Sequence, residues 1–349
     1  ALLVTAGMSQ IALAGDSVYV NTSSLRYRTS AQIKDNNIAG NLSYGQKLER
    51  VGTSGQWTMI LLNGKKYYVS SAYVTSKKPA STGAVQTTSQ TAAGAQTSGG
   101  TAIALSSNYK YANYSKINSG TATLYRSTAS NKKNKVVCVN AGHGTNGGGS
   151  VKTQCHPDGS AKVTGGTTGA GATSAVAVSS GMTFADGTAE SKVTLAMAKV
   201  LKTKLLNAGY DVLMIRESDD VQLDNIARTV IANNNADCHI ALHWDSTSSN
   251  KGAFFMSVPS NATYRAMEPV ASHWKQHNQL GESLISGLKS AGVKIYSKGS
   301  MEMDLTQTSY STIPSVDIEL GDKASDHSGA TLETLANGLL AGVNTFFGQ

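Results

Sequence analysis

The sequence predicts two modules: an α/β domain with a mixed, mostly parallel sheet flanked by helices, and a small all-β barrel before it. Strand-like runs alternate with helical patterns from residue 136 onward, which indicates a sheet with helices on both faces. Short strand-like runs separated by regular turn signals fill residues 16–76, which favours a small barrel. Residues 79–102 contain neither a charge nor an aromatic side chain, as is typical of a flexible linker.

These patterns give four segments. Residues 1–15 are interpreted as the remnant of a signal peptide or as an N-terminal arm, since apolar residues are followed by a small-x-small pattern at Ala12-Leu13-Ala14. The barrel is placed at 16–76, the linker at 77–106 and the α/β domain at 107–349. Export of the protein, to the medium or the cell wall, is therefore expected.

Charge and composition narrow the classes of partner. The formal net charge of +8 favours anionic partners. Basic residues are not interleaved with aromatic ones in a run, so nucleic acid is not expected as a partner. No apolar stretch approaches the roughly 20 residues of a membrane span.

The three cysteines are too few for a disulfide framework. Cys138 and Cys238 lie in two strand-like runs, each five residues before a histidine. Packed thiols are the favoured interpretation of this pair, and a disulfide is the alternative.

The pattern of the α/β domain alternates predicted strands and helices. A buried strand at residues 136–140 is followed by a long Gly/Ser/Thr-rich stretch to about Gly187 and by a helix that Thr188 can cap. The later elements are a strand at 211–215, a helix at 223–236, a strand at 238–242, a helix around 280–288, a strand at 316–318 and a helix at 331–347.

Chemically active side chains stand at the ends of three of these strands. They are His143, His243 and Glu319, and Glu190 lies in the first turn of the first helix. Ligands bind outside the carboxyl ends of strands in such sheets. Two histidines and one carboxylate, with one position left for water, form the ligand set of a catalytic zinc site. A carboxylate in a first helical turn is also favoured by the helix dipole alone, so Glu190 has a structural alternative.

Several short motifs together resemble the zinc-dependent N-acetylmuramoyl-L-alanine amidases of the Amidase_3 type, from residue 136 to the C-terminus. The matching segments are 140–144 (Asn-Ala-Gly-His-Gly), 189–190 (Ala-Glu), 214–219 (Met-Ile-Arg-Glu-Ser-Asp), 240–245 (Ile-Ala-Leu-His-Trp-Asp) and 313–321 (Ile-Pro-Ser-Val-Asp-Ile-Glu-Leu-Gly). The family usually has Asp-Pro-Gly-His where this chain has Asn-Ala-Gly-His, and its segment before Glu190 is shorter.

This resemblance implies roles for individual residues. His143, Glu190 and His243 would be ligands of Zn²⁺, and Glu319 would be the catalytic glutamate. The implied reaction is hydrolysis of the amide bond between N-acetylmuramic acid and L-alanine in peptidoglycan, so stem peptide and glycan are the expected partners. A direct role of Asp245 at the metal is a weaker expectation, and Arg216 and Arg228 are expected to form salt bridges between helices and sheet.

The first module resembles the bacterial SH3 domains. The matching features are Trp57, the Asn63-Gly64 turn and the Tyr73-Val74 ending, together with Leu25, Arg28, Gly40, Leu42 and Gly45. The resemblance implies binding to cell-wall peptides or glycans, and the positive charge would add attraction to anionic wall polymers.

The expected protein is thus a secreted autolysin-type cell-wall hydrolase. Two alternatives stay open at this point: a zinc peptidase that cuts peptidoglycan cross-links, and a wall-binding protein without catalytic activity.

Overall fold

The computed structural model describes residues 16–20, 24–32, 37–43, 45–78 and 99–349. The chain divides into two compact units, Ala1–Ala92 and Ala93–Gln349. The interpreted signal-peptide remnant at 1–15 and most of the predicted linker lie outside the described residues.

The first unit contains a seven-stranded antiparallel sheet in the order β3-β2-β6-β5-β4-β1-β7. Its strands are β1 (Asp16–Val20), β2 (Ser24–Arg28), β3 (Ile38–Ser43), β4 (Lys47–Ser54), β5 (Trp57–Leu62), β6 (Lys65–Ser70) and β7 (Val74–Thr75).

The predicted hairpin at Asn63-Gly64 is confirmed, because both residues adopt positive φ between the paired strands β5 and β6. Aliphatic side chains such as Val20, Ile60 and Val69 form the core of this unit. The described residues show no pairing between β3 and β7, so the closed barrel stays a prediction.

The second unit contains the large sheet, in the order β16-β15-β17-β14-β10-β13-β9-β8, and a small two-stranded sheet, β11-β12. Its strands are β8 (Thr101–Ala104), β9 (Thr121–Tyr125), β10 (Val136–Ala141), β11 (Lys152–Gln154), β12 (Ser174–Val176), β13 (Asp211–Met214), β14 (Cys238–Asp245), β15 (Ala253–Ser257), β16 (Ile295–Glu302) and β17 (Ser315–Asp322).

The prediction of a mixed sheet is confirmed, but the parallel majority in the large sheet is narrow and does not extend to the other described sheets. In the large sheet β10 runs parallel to β13 and β14, β14 to β17, and β15 to β16, whereas the other three pairings are antiparallel. Across both units ten of the fourteen described strand pairings are antiparallel. Six of the ten antiparallel pairings lie in the first unit, and at the edge of the large sheet β8 and β9 pair antiparallel because no crossover helix joins them.

The predicted linker also extends too far. Thr101–Ala104 form β8, which pairs with β9 at the edge of the large sheet, so this part of 77–106 belongs to the second unit.

Helices cover both faces of the large sheet, as predicted. Side chains of α1, α4 and α6 pack with one face, and side chains of α2 pack with the other. The helices are α1 (Glu190–Asn207), α2 (Asn225–Asn235), α3 (Ala262–Ala266), α4 (Val270–Ser290), α5 (Thr306–Tyr310) and α6 (Gly329–Phe347). In the described part of the chain, none is both long and apolar enough to cross a bilayer.

Two details of the sequence interpretation resolve here. Thr188 is not the cap of α1, because Ala189 precedes its first residue and no side chain caps it. Cys138 and Cys238 are buried free thiols in the apolar clusters on opposite faces of the sheet, so they are packed rather than bonded to each other.

Candidate metal centre

A sharp turn ends β10 and presents His143. Both His143 (φ 64°) and Gly144 (φ 72°) adopt left-handed backbone conformations, which is uncommon for a histidine. Gly142 carries no side chain because the imidazole of His243 lies against it: a Cβ there would stand 2.2 Å from His243 Cε1. The missing side chain lets the two imidazoles approach edge to face, with ring centroids 4.6 Å apart.

Two buried arginines stabilise this turn by hydrogen bonds to its main-chain carbonyl oxygens. Arg216 donates to the carbonyl oxygens of Ala141 and Gly142 at 3.0 and 2.9 Å. Arg228 donates to the carbonyl oxygen of His143 at 2.7 Å and to that of Ala141 at 3.2 Å. The expectation of salt bridges from these arginines was wrong, because their donors are used on main-chain oxygens that would otherwise be buried without partners.

Glu190 enters the same space from the start of α1, where its side chain is buried. Its Oε2 accepts a hydrogen bond from the Met182 amide at 2.9 Å, and its Oε1 accepts one from the Trp244 amide at 3.0 Å. Two main-chain donors therefore fix the carboxylate.

His243 and Glu319 are brought together by strand register. They are paired positions on the adjacent parallel strands β14 and β17, so their side chains leave the same face of the sheet at the same level. Glu319 is buried, and its Oε2 has no hydrogen-bond partner in the described part of the chain.

Three donor atoms converge at the centre. His143 Nε2 lies 2.9 Å from Glu190 Oε1, His243 Nδ1 lies 3.2 Å from the same oxygen, and the two nitrogens are 3.0 Å apart. All three residues can offer one ligand atom within a set no wider than 4.8 Å. The structure therefore brings the three predicted ligands together, with Glu319 beside them.

Negative charge dominates the electrostatics of this centre. Burial alone would lower the pKa of His243, but the carboxylates of Asp317 and Glu190 outweigh it and raise the pKa to about 10. Burial, and next the charge of Asp317, raise the pKa of Glu319 well above its usual range. Three carboxylates around two imidazoles favour a cation at this position.

Comparison with known protein families agrees with this geometry. The family model for N-acetylmuramoyl-L-alanine amidase, Amidase_3, matches residues 137–336, which include every residue of the centre. The chain belongs to the Amidase_3 family of N-acetylmuramoyl-L-alanine amidases. It is accordingly a hydrolase, a peptidoglycan amidase of the cell wall. Among curated proteins, none matches this chain.

Solved structures with a similar fold include other amidases. The N-acetylmuramyl-L-alanine amidase Ami1 from Mycobacterium smegmatis is 20% identical, over 63% of this chain and 99% of that one, with a TM-score of 0.47. An N-acetylmuramoyl-L-alanine amidase from Clostridium difficile 630 is 18% identical, over 62% and 97%, with a TM-score of 0.44. The catalytic domain of CwlV from Bacillus (Paenibacillus) polymyxa var. colistinus is 18% identical, over 61% and 97%, with a TM-score of 0.40.

The centre of the amidase lies in a cleft of about 470 Å³. One wall comes from the long segment between β10 and α1, residues 144–187, which we name the cleft loop. Its contribution includes Lys162, Gly166, Thr167, Thr168, Val178 and Met182.

Trp244 and Asp245 follow His243 in β14, and their side chains make different contacts. Asp245 lines the same cleft, but its carboxylate is paired with Lys251 and accepts from the Thr247 hydroxyl. Trp244 is 2% exposed and packs near Phe184, with ring centroids 6.0 Å apart, so its main contribution is to packing.

Asp304 fastens the cleft loop to the body of the domain. Its carboxylate accepts hydrogen bonds from Lys162 Nζ at 2.7 Å, the Val163 amide at 2.6 Å and the Thr164 hydroxyl at 2.8 Å. His156 Nε2 lies 3.3 Å from it. Burial alone would raise the pKa of Asp304, but the contacts from His156 and Lys162 outweigh it and hold the pKa well below its usual range.

The sequence interpretation missed two residues of the site, Asp304 and Asp317. A signal for Asp317 exists, because Ser315, Asp317 and Glu319 alternate with apolar residues in one strand and so share a face. Asp304 gives no local signal, since its partners lie about 140 residues earlier in the chain.

We predict that Asp304→Ala releases the cleft loop. Removing one partner of a buried ion pair costs about 3–5 kcal/mol, because Lys162 would stay buried without its counter-charge. Amide hydrogen exchange of residues 152–168, followed by mass spectrometry, should then accelerate about a hundredfold or more.

The matched control is Asp158→Ala, which removes an exposed carboxylate of the same loop whose hydrogen bonds go to Ser160 in its own turn. Unchanged exchange in Asp304→Ala would contradict the assigned role.

The contribution of Asp304 to stability depends on pH. Because the pKa of Asp304 is depressed in the folded protein, its stabilisation is complete above about pH 4 and is lost progressively as the pH falls below that.

Proposed function

We propose that this amidase holds one Zn²⁺ with His143, Glu190 and His243, and that Glu319 transfers the protons of the reaction. The bond cut is the amide between the lactyl carbonyl of N-acetylmuramic acid and the L-alanine of the stem peptide. The single observation that carries the proposal is the convergence of three donor atoms, 2.9–3.2 Å apart, beside a buried glutamate in a cleft.

The donor set fits zinc in type and spacing. Imidazole nitrogen and carboxylate oxygen are zinc ligands, and tetrahedral bonds of about 2.0–2.1 Å place two ligand atoms about 3.3 Å apart. The observed separations are slightly shorter, so small side-chain movements open the set to that spacing. Nε2 of His143 and Nδ1 of His243 face each other at 3.0 Å, and two lone pairs at this distance would repel each other. A cation or a shared proton between them removes this repulsion, and zinc is such a cation.

Zinc in such a set lowers the pKa of a coordinated water towards about 7 and polarises a carbonyl group. The chain itself orients the ligands. His143 Nδ1 lies 2.8 Å from the carbonyl oxygen of Ser179, so this nitrogen carries the proton and Nε2 presents its lone pair. The amides of Met182 and Trp244 hold both oxygens of Glu190.

Glu319 moves the proton. Its side chain leaves β17 level with His243, and burial together with the charge of Asp317 raises its pKa, which makes the carboxylate a better proton acceptor than an exposed one. It would accept a proton from the attacking water and pass it to the nitrogen of the leaving L-alanine. The peptide then leaves as a free amine and the glycan retains a carboxylate.

The first unit is proposed to bind the wall. It is a compact unit separate from the catalytic one, and it carries exposed lysines at positions 47, 65 and 66 and a Tyr73 side chain that is 50% exposed. These groups suit anionic polymers and sugar or peptide surfaces. With peptidoglycan as its substrate and the wall as its binding surface, the protein is proposed to act at the cell wall.

We expect Glu319→Gln to lose activity while keeping zinc. The amide has nearly the same shape but does not accept the proton, so kcat should fall about 10²–10⁴-fold. Metal analysis should still give one zinc per chain. Glu302→Gln, an exposed carboxylate outside the cleft, is the matched control and should cut as wild type does. Near wild-type turnover in Glu319→Gln would remove this residue from the proposed role.

Deleting residues 1–92 tests the proposed wall-binding unit. Because tethering raises the local concentration of the catalytic unit at the wall, cosedimentation with purified cell walls should weaken about tenfold or more. Cleavage of small soluble muropeptides should be retained. If the truncated protein sediments with walls as the full chain does, the first unit does not bind them.

A further inference from the structure

Asp317 is a cleft carboxylate that has no role in the proposed mechanism. On β17, Val316, Ile318 and Leu320 point into the apolar core, whereas Asp317 and Glu319 point to the opposite face. Asp317 lines the cleft, and its Oδ2 lies 3.6 Å from Nε2 of His243.

The ring of His243 is held between two sets of groups. Its Nδ1 faces Glu190 Oε1 at 3.2 Å and His143 Nε2 at 3.0 Å, on the side of the metal centre. Its Nε2 faces Asp317 on the other side. The ring also lies directly against Gly142, which limits its freedom to turn away.

The environment of Asp317 provides little other compensation for its charge. Its Oδ1 is buried without a hydrogen-bond partner, and no lysine or arginine pairs with it in the described part of the chain. Burying an unpaired carboxylate is costly, and an apolar side chain would avoid that cost on a strand of this kind. Among the described residues, the ion-pair partner of Asp317 is His243.

We propose that Asp317 is a positioning residue for the metal ligand His243. The carboxylate favours the tautomer of His243 that carries its proton on Nε2, and this leaves the Nδ1 lone pair free to bind the metal. It also fixes the orientation of the ring from the side opposite the metal. This inference rests on the proposed zinc site and adds a residue that supports it.

The test measures zinc affinity in full-length protein by competition with a chromophoric chelator. Asp317→Leu fills the position with an apolar side chain and removes both acceptor oxygens. We therefore expect zinc to bind about 10–100-fold more weakly. Asp317→Asn keeps the shape and one acceptor oxygen, and its affinity should lie between those of Asp317→Leu and wild type. Asp245→Asn removes a cleft carboxylate that faces Lys251 instead, and it should bind zinc as wild type does.

A spectroscopic measurement separates positioning from a purely structural role. With Co²⁺ in place of zinc, the visible absorption of the bound ion should shift in the Asp317 variants and stay constant in Asp245→Asn. A structural role would instead lower the melting temperature of the metal-free protein and leave the cobalt spectrum unchanged. If Asp317→Leu fails to fold, Asp317→Asn decides, and weaker zinc binding than wild type is expected of it.

The outcomes for the two proposals are distinct. Absence of zinc binding by the wild-type protein would overturn the proposed metal site itself. Zinc binding by wild type together with equal affinity and an unchanged cobalt spectrum in the Asp317 variants would overturn the positioning role alone.

Discussion

Parallel pairing of β10, β14 and β17 is the constraint on which the site depends. Neighbouring strands lie about 4.8 Å apart, so residues at matching register form a row across the sheet. The register places Ala141 beside Leu242 and His243 beside Glu319, and therefore aligns the three strand ends that carry the chemistry. A shift of one residue would turn His243 or Glu319 to the opposite face, where the apolar core leaves no room for it.

The turn after β10 depends on a second constraint, the buried guanidinium groups of Arg216 and Arg228. Left-handed backbone at His143 is unfavourable by itself, and the carbonyl oxygens of Ala141, Gly142 and His143 need hydrogen-bond donors in a buried position. The two arginines satisfy those carbonyl groups, so the fold fixes His143 before any metal is bound. In the proposed metal site, a ligand that is held in this way would need little reorganisation on binding the metal.

Most of the catalytic core could be predicted from the sequence, because its signals are local. His143, His243 and Glu319 each follow a strand-like run, and strand ends of this type meet at one edge of a sheet. The proposed ligand role of Glu190 rested on the two-histidine-plus-carboxylate set and on the family resemblance together, since a glutamate in a first helical turn also has an ordinary explanation in the helix dipole. The position of Asp317 could not be predicted as readily, because a strand that alternates apolar and polar residues indicates a core face without indicating what its polar face contacts.

The remaining features depend on long-range contacts that no local pattern encodes. Asp304 binds a loop segment about 140 residues earlier, and β8 joins the sheet from a stretch whose composition is that of a linker. Arg216 and Arg228 were expected to meet carboxylates, but they donate instead to the carbonyl oxygens of a turn that is distant in sequence.

The measurement that tests the central claim most directly is mass spectrometry of purified peptidoglycan digested by the full-length protein, with and without a chelator. The account predicts free stem peptides that begin at L-alanine, released from intact glycan, with release abolished by the chelator and restored by zinc. Cut cross-links with intact bonds between N-acetylmuramic acid and L-alanine, or peptide release that persists without metal, would contradict it.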